Sequence, residues 1–468
     1  MTIIHVAAEC FPVAKVGGLA DVVGALPKFQ NKNKEKAEVI MPFYNLPFTQ
    51  KNKFKEIYKG EVPLNGVNYT FRVVTLLKES DFTINFIDIP ELLYTDYVYS
   101  YDDTIRFLAF QIAVLKWISS WENKPEIIHV HDHHTGLIPF MMTQSYQFDD
   151  LKLIPTVFTI HNAQYQGWFS HEKVGLIPKF DFSKVGLLDW SGEINPMAAA
   201  IKCAWAVTTV SPSYMEELKS KANGLEDLLK YESGKCVGIL NGIDTEVWNP
   251  ETDEYLKRNY KKTTAVSGKK ANKNWLCDQY GFNRNKPLIA FIGRFVHDKG
   301  CDLFAEVFTN YLNELEVSIL ILGSGDPKVQ EDLTNLNDVF EGDYKYVSGY
   351  NEALSHVIYA GADFLLMPSR VEPCGLNQMY ALRYGTVPIV NNVGGLKDTI
   401  LDYKEVNGFG IVIHEVTVTE IKTAIEEAVQ LYNNQLLLKK IKNQIMKIDH
   451  SWLASAKEYQ KLYQKLKK

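Results

Sequence analysis

Residues 288–300 read LIAFIGRFVHDKG. The opening run is apolar without interruption and rich in β-branched and aromatic side chains, which suits a short strand buried on both faces of a parallel sheet. It breaks at Gly293, and Arg294 and Lys299 follow before the next glycine, Gly300. In open α/β sheets ligands bind beyond the carboxyl ends of the strands, so these two cations are placed to face a diphosphate. A charge pair about 4 Å apart is worth about 4 kcal/mol at an effective dielectric of 20, before desolvation. Solvated charge beside a turn is the plainer account of the same residues.

The rhythm of this stretch repeats in both directions. Downstream, short apolar runs at 317–322, 344–347, 364–367, 387–390 and 410–413 alternate with longer amphipathic segments; upstream the same happens at 3–8, 39–42, 127–130, 156–160, 207–210 and 237–240. Strands alternating with helices predict an α/β chain of two doubly wound, Rossmann-like halves with parallel sheets. The polar, lysine-rich texture around 249–286 reads as a connector plus one helix. The predicted division is 1–245, a linker at 246–286, a second half at 287–435 and a helical tail at 436–468.

Composition excludes several classes. The chain has 468 residues, 50 basic against 56 acidic, a net charge of −6, and 46% hydrophobic content. That is an ordinary globular balance, with nothing pulling globally on a phosphate backbone or an anionic bilayer, so neither nucleic acid nor membrane is expected as a partner. Six scattered cysteines without a C-x-x-C pair suit reduced thiols, and the start carries Glu9 where an export signal would be apolar. A cytoplasmic protein is expected; oligomeric state is not legible.

Several segments could carry chemistry. Lys15, Gly17 and Gly18 follow the first strand and precede a helical segment, where glycines allow backbone N–H groups close to an anion and a lysine adds charge. The pattern is neither the dinucleotide nor the P-loop fingerprint, and a glycine turn with a solvated lysine explains it equally. Gly394 and Gly395 occupy a similar corner in the second half. PSRVEPCGLN, 368–377, again follows a strand and opens a helix; its Glu372 is either a ligand-binding carboxylate or a helix cap. HVHDHH, 129–134, approaches the H-x-H-x-D-H zinc signature, but the aspartate is one place early and His133 stands where the signature has aspartate. Strand alternation sends neighbouring side chains to opposite faces, so structural or substrate-binding histidines are expected rather than a metal centre. His161 ends the run TVFTI at a strand terminus. No Asp-x-Asp occurs, so a sugar transferase built on this chain would lack the carboxylate pair that one large class uses to hold a metal.

In order along the chain stand KVGGLADVVGALPK (15–28), HVHDHHTGL (129–137), FTIHNAQYQG (158–167), TTVSPSY (208–214), ILNGID (239–244), GRFVHDKG (293–300), PSRVEPCGLNQ (368–378) and NNVGGLKDT (391–399). The set closely resembles bacterial glycogen synthases and plant starch synthases, retaining GT-B glycosyltransferases that extend α-1,4-glucan from a nucleotide diphosphate glucose. The resemblance implies a GT-B fold with its site in the cleft between the domains, ADP-glucose and α-1,4-glucan as substrates, no cofactor and no metal. It implies that Lys15, Gly17 and Gly18 lie by the donor's phosphates and glucose, and that Arg294 and Lys299 hold the departing diphosphate. Glu372 would bind glucose hydroxyls with backbone help from Cys374, Gly375 and Leu376. Asp132 and His161 would line the reacting face, Tyr350 would stack on the base, and Asn241 would belong to the interdomain cleft. The final helix would return to the first domain.

The chain departs from the family pattern at His133, where tryptophan is usual, in segment 94–103, and at Trp190 to Glu193. All three fall in the acceptor-facing half. A related GT-B transferase with another acceptor therefore stays open, as do, further off, a zinc hydrolase on the 129–134 cluster and a catalytically silent glucan binder.

Overall fold

The computed structural model describes residues 1–78 and 80–467, and the chain divides into two compact units: Met1–Asn241 with Trp452–Lys468, and Gly242–Ser451.

The first unit is built on a nine-stranded sheet. Its strands are β1 (Thr2–Val6), β2 (Lys36–Pro42), β3 (Phe54–Leu64), β4 (Val67–Leu76), β5 (Thr83–Asp88), β6 (Ile127–His131), β7 (Thr156–Ile160), β10 (Ala206–Thr209) and β11 (Cys236–Gly238); β8 (Asp189–Trp190) and β9 (Glu193–Ile194) form a separate small hairpin. The order is β11-β10-β7-β6-β1-β2-β5-β4-β3. All pairings from β11 to β5 are parallel, and β6 and β7 are buried along their whole length, as continuous apolar runs require.

The expected wholly parallel sheet needs correction at one edge, where β3 and β4 run antiparallel. Both strands alternate exposed with buried positions, so they lack the solid apolar signature of central strands. Asn65 (φ 52°) and Gly66 (φ 73°) make the tight turn between them, as an Asn-Gly hairpin does.

The second unit has six parallel strands in the order β14-β13-β12-β15-β16-β17: β12 (Leu288–Phe295), β13 (Ser318–Gly325), β14 (Tyr344–Ser348), β15 (Phe364–Met367), β16 (Val387–Asn391) and β17 (Ile411–Ile413). β12 runs beyond Gly293, so Arg294 is a strand residue beside Ser324 rather than part of the following turn.

Residues 246–286, read from sequence as a linker, are wired into this second unit. The helix Ala265–Tyr280 buries two of its lysines: Lys269 Nζ has four acceptors within hydrogen-bond reach, Tyr359 O, Ala360 O, Tyr384 O and Thr386 Oγ1, and Lys273 pairs with Asp363 at 2.7 Å. Asp253 accepts from Tyr384 Oη at 2.5 Å and meets His356 Nδ1 at 2.7 Å. A buried ammonium is tolerable only with its hydrogen bonds satisfied, and the acceptors come from segments about a hundred residues away, out of reach of a composition argument.

The tail also divides. The helix Gln435–Ile445 buries Leu438, Ile441 and Ile445 in the second unit's core. Only Trp452–Leu466 packs on the first, placing Trp452, Ala456, Tyr459 and Tyr463 against Ile3, Val22, Leu26, Phe29 and Ile127.

Candidate active site

In the second unit the parallel topology brings every strand's carboxyl end to one edge, and the sequence-predicted residues of this half follow those ends. Arg294 is the penultimate residue of β12, exposed and without a carboxylate partner among the described residues. A single turn, His297–Lys299, follows and ends at Gly300 (φ 72°). The backbone N–H of Arg370 donates to Asp298 O at 2.7 Å, tying that turn to the loop after β15. Across this tie Lys299 Nζ lies 2.6 Å from Glu372 Oε2, which also accepts from Ser369 Oγ at 3.0 Å. Sequence reading assigned these two side chains to different parts of a ligand; here they form an ion pair with each other.

The glycine pair after β16 serves this loop. A Cβ on Gly394 would lie 2.1 Å from Glu372 O, and one on Gly395 2.0 Å from Cys374 O. Only glycine permits two backbones so close. Cys374 is buried, Leu376 caps the helix Asn377–Tyr384, and Asn377 Nδ2 donates to Ile292 O at 2.7 Å, fixing that helix to the end of β12. Tyr350 stands in the loop after β14 with 88% of its surface exposed.

In the first unit, Lys15 pairs with Asp21 at 2.7 Å, in the first turn of the helix Gly18–Lys32. A Cβ at Gly17 or Gly18 would meet no protein atom within 4 Å, so packing within the chain does not require either glycine. Glu9, which no sequence motif singles out, holds this loop. Its buried carboxylate accepts from Val16 N (2.5 Å), Gly17 N (3.0 Å) and Tyr99 Oη (2.5 Å). The Gly17 amide, expected to face an anion, is thereby engaged by the chain itself, as is that of Val16.

Asp132 follows β6 with a left-handed backbone, φ 55°, unusual for a non-glycine residue. Burial pushes its carboxyl up to about 7, opposed by backbone N–H groups of His161 and Asn162. The His161 N–H donates to Asp132 Oδ1 at 2.8 Å. Asp132 thus anchors the turn that carries His161. Asn241, buried, ends the first unit with its Oδ1 unpaired among the described residues.

The 129–134 histidines separate into two groups. His133 and His134 turn away, His134 stacking on Tyr99 with ring centroids 4.6 Å apart. His129 and His131 share one face of β6, stacked at 4.3 Å, and meet His5 of β1. The ligand atoms of these three lie within 4.8 Å of one another. Their ring nitrogens are already engaged: His5 by Gln30 and His131, His129 by Tyr463 and Thr159, His131 by His5 and His161. With both nitrogens of every ring already hydrogen-bonded within the chain, the set fits a buried polar core better than a metal centre. Desolvation holds His5 down to about 4 and His161 to about 3, with His129 and His131 also well below the usual histidine range.

Two Rossmann-type units with polar strand-end motifs in both define a GT-B-type glycosyltransferase. Residues 2–231 match the family model described as starch synthase catalytic domain, and residues 276–445 that described as glycosyl transferases group 1. The chain is 47% identical over 470 residues to a glycogen synthase of Flavobacterium johnsoniae, covering 99% of this chain and 98% of that one. It is 36% identical to a glycogen synthase of Streptococcus gordonii over the full length of both. Among solved structures, the catalytic domain of starch synthase IV from Arabidopsis thaliana, bound to ADP and acarbose, superposes with a TM-score of 0.87 at 32% identity, covering 100% of this chain and 99% of that one. The chain belongs to the glycogen synthase and starch synthase family. A sucrose-phosphate synthase from Thermosynechococcus elongatus, at 16% identity and a TM-score of 0.64, shares the fold.

Proposed function

We propose that this protein transfers glucose from ADP-glucose to the non-reducing end of an α-1,4-glucan with retention of configuration. The observation that carries the reading is the placement of Arg294 in the last residues of β12, with Lys299 beyond that strand and paired to Glu372 beyond β15, in a chain that aligns over its whole length with glycogen synthases. Breaking the bond between the anomeric carbon and the phosphate oxygen places negative charge on the diphosphate. Arg294 and Lys299 meet that charge, and such preorganised donors supply a large share of catalysis. Glu372, oriented by Lys299 and Ser369, accepts from glucose hydroxyls, and backbone groups of Cys374, Gly375 and Leu376 line the same sugar.

The first unit supplies the remaining groups. Open space over Gly17 and Gly18 suits close approach of the donor, with Lys15 adding charge. His161, anchored by Asp132, lies beside the reacting carbon; Asn241 offers its unpaired acceptor, and Tyr350 from the second unit stacks on adenine. Retaining glycosidases use two carboxylates about 5–5.5 Å apart. The contacts of Glu372 are instead a lysine and a serine, which favours front-face attack: the acceptor hydroxyl bonds to the anomeric carbon as the diphosphate leaves, and its proton passes to the departing phosphate oxygen. No step uses a metal.

No helix among the described residues is long and apolar enough to cross a membrane; a cytoplasmic enzyme acting on nucleotide sugar and glucan is the reading proposed. It is tested by incubating purified protein with ADP-glucose or UDP-glucose, glycogen and a chelator. ADP release with glucose entering polymer is the expected result. Release without polymer growth would point to another acceptor, and no turnover with either donor would refute the proposal.

A further inference from the structure

Beneath His161 runs a line of buried polar side chains that the chemistry above does not use. Gln30, on the inner face of the helix Gly18–Lys32, presents Oε1 2.8 Å from His5 Nε2. His5 Nδ1 lies 3.1 Å from His131 Nε2, and His131 Nδ1 lies 3.0 Å from His161 Nε2. His5, His131 and Gln30 are fully buried, so no solvent intervenes. An amide oxygen only accepts, so the first proton belongs to His5 Nε2. A neutral imidazole carries one N–H, so His5 Nδ1 accepts and His131 Nε2 donates; by the same step His131 Nδ1 accepts and His161 Nε2 donates. The Gln30 amide is itself oriented, its Nε2 donating to Tyr463 Oη at 3.3 Å, and that hydroxyl is 2.7 Å from His129 Nδ1.

We propose that Gln30, His5 and His131 are positioning residues that hold His161 as the Nε2–H tautomer, leaving Nδ1 as a lone pair available to the donor sugar. The catalytic consequence rests on the reading that His161 lies beside the anomeric carbon, where an acceptor nitrogen tolerates developing positive charge and an N–H does not. Burial, which keeps all three imidazoles neutral, is what lets one amide orientation propagate through them. The dependence on an orienting partner is the same that a carboxylate or carbonyl imposes on metal-bound histidines.

The test uses the full chain labelled with ¹⁵N-histidine, with long-range proton–nitrogen spectra to read the His161 tautomer, beside steady-state kinetics. In the unmodified protein His161 is expected to be protonated at Nε2, and in Gln30→Met to become a tautomer mixture. His131→Leu should lower kcat about 10- to 100-fold with the ADP-glucose KM within about twofold, as for lost orienting partners elsewhere. His131→Asn, whose Oδ1 can take the place of Nδ1 as acceptor, should restore most of that turnover. Protonation at Nδ1 in the unmodified protein, an unchanged tautomer in Gln30→Met, equal losses in the two His131 variants, or a stoichiometric metal surviving chelator dialysis would each overturn the proposal. The tautomer is read in resting protein, so its failure is distinguishable from failure of the assigned transfer, and Gln30→Met decides the matter if His131→Leu does not fold.

Discussion

Replacing Lys299 by methionine keeps most of the side chain's bulk and removes the cation 2.6 Å from Glu372. The Glu372 side chain is 9% exposed and that of Lys299 25%, so the carboxylate left behind is poorly rehydrated and keeps only the Ser369 hydroxyl at 3.0 Å. Removing one partner of a fully buried pair costs about 3–5 kcal/mol; the partly open lysine end and the surviving serine bond bring the expected cost to about 2–3 kcal/mol. In a unit of roughly 200 residues, 1 kcal/mol moves Tm by about 2–4 °C, so Lys299→Met should melt about 4–12 °C early. Adding Glu372→Gln removes the orphaned charge and should return most of that loss. Turnover should fall by about 10² to 10³ in Lys299→Met and stay low in the double variant, because the donor to the diphosphate is still missing. Thermal unfolding by circular dichroism and an ADP-release assay on the same preparations separate the two effects. A single variant melting within about 1 °C of the parent, or a double variant no more stable than the single, would refute the electrostatic reasoning.

Three further outcomes are expected. Gly18→Ala should leave thermal stability intact while raising the donor KM, because its Cβ meets only open space, whereas Gly395→Ala, with a Cβ 2.0 Å from Cys374 O, should destabilise the second unit; unfolding curves and donor titrations check both. Tyr350→Ala should raise the ADP-glucose KM about tenfold or more with no change in melting, from the loss of about 1–3 kcal/mol of base stacking; an unchanged KM would remove Tyr350 from the site. The first unit should lose stability as pH falls below about 6.5, since its histidines take up protons when unfolded but resist when folded. His5 and His133 are held to about 4 and His161 to about 3, while His129, His131 and His134 lie well below the usual value. Each such histidine costs about 1.4 kcal/mol per pH unit from about 6.5 down to its folded value. Asp132, raised to about 7, works in the opposite direction, as do Glu35 and Asp88, whose carboxyls burial also raises, but these are three groups against six. Equal melting temperatures at about pH 7.5 and about pH 5.5 would contradict this.

Much of this protein is written locally. A short run dominated by β-branched and apolar residues specifies a strand buried on both faces, which is why β7 and β15 fall where the residue pattern puts them. Motif order was enough to place the chain in its family, because the polar residues that follow each strand are contiguous in sequence. The sequence also carried the helical character of 435–445 and 452–466, since the spacing of apolar residues along a helix is a local property. Which sheet each helix covers is not: apolar faces are interchangeable until the chain closes on itself, and although the family resemblance implies a final helix returning to the first unit, only the tertiary structure sends 435–445 to the second. The same holds for charge. Lys269 and Lys273 look solvated in a lysine-rich stretch, yet their acceptors arrive from strand and helix ends far along the chain. Lys299 and Glu372 are separated by 73 positions, and Gln30, His5, His131 and His161 come from four segments. Hydrogen bonds and ion pairs between distant residues exist only after strand order has set the neighbours, so the groups were legible in the sequence and their couplings were decided by the fold.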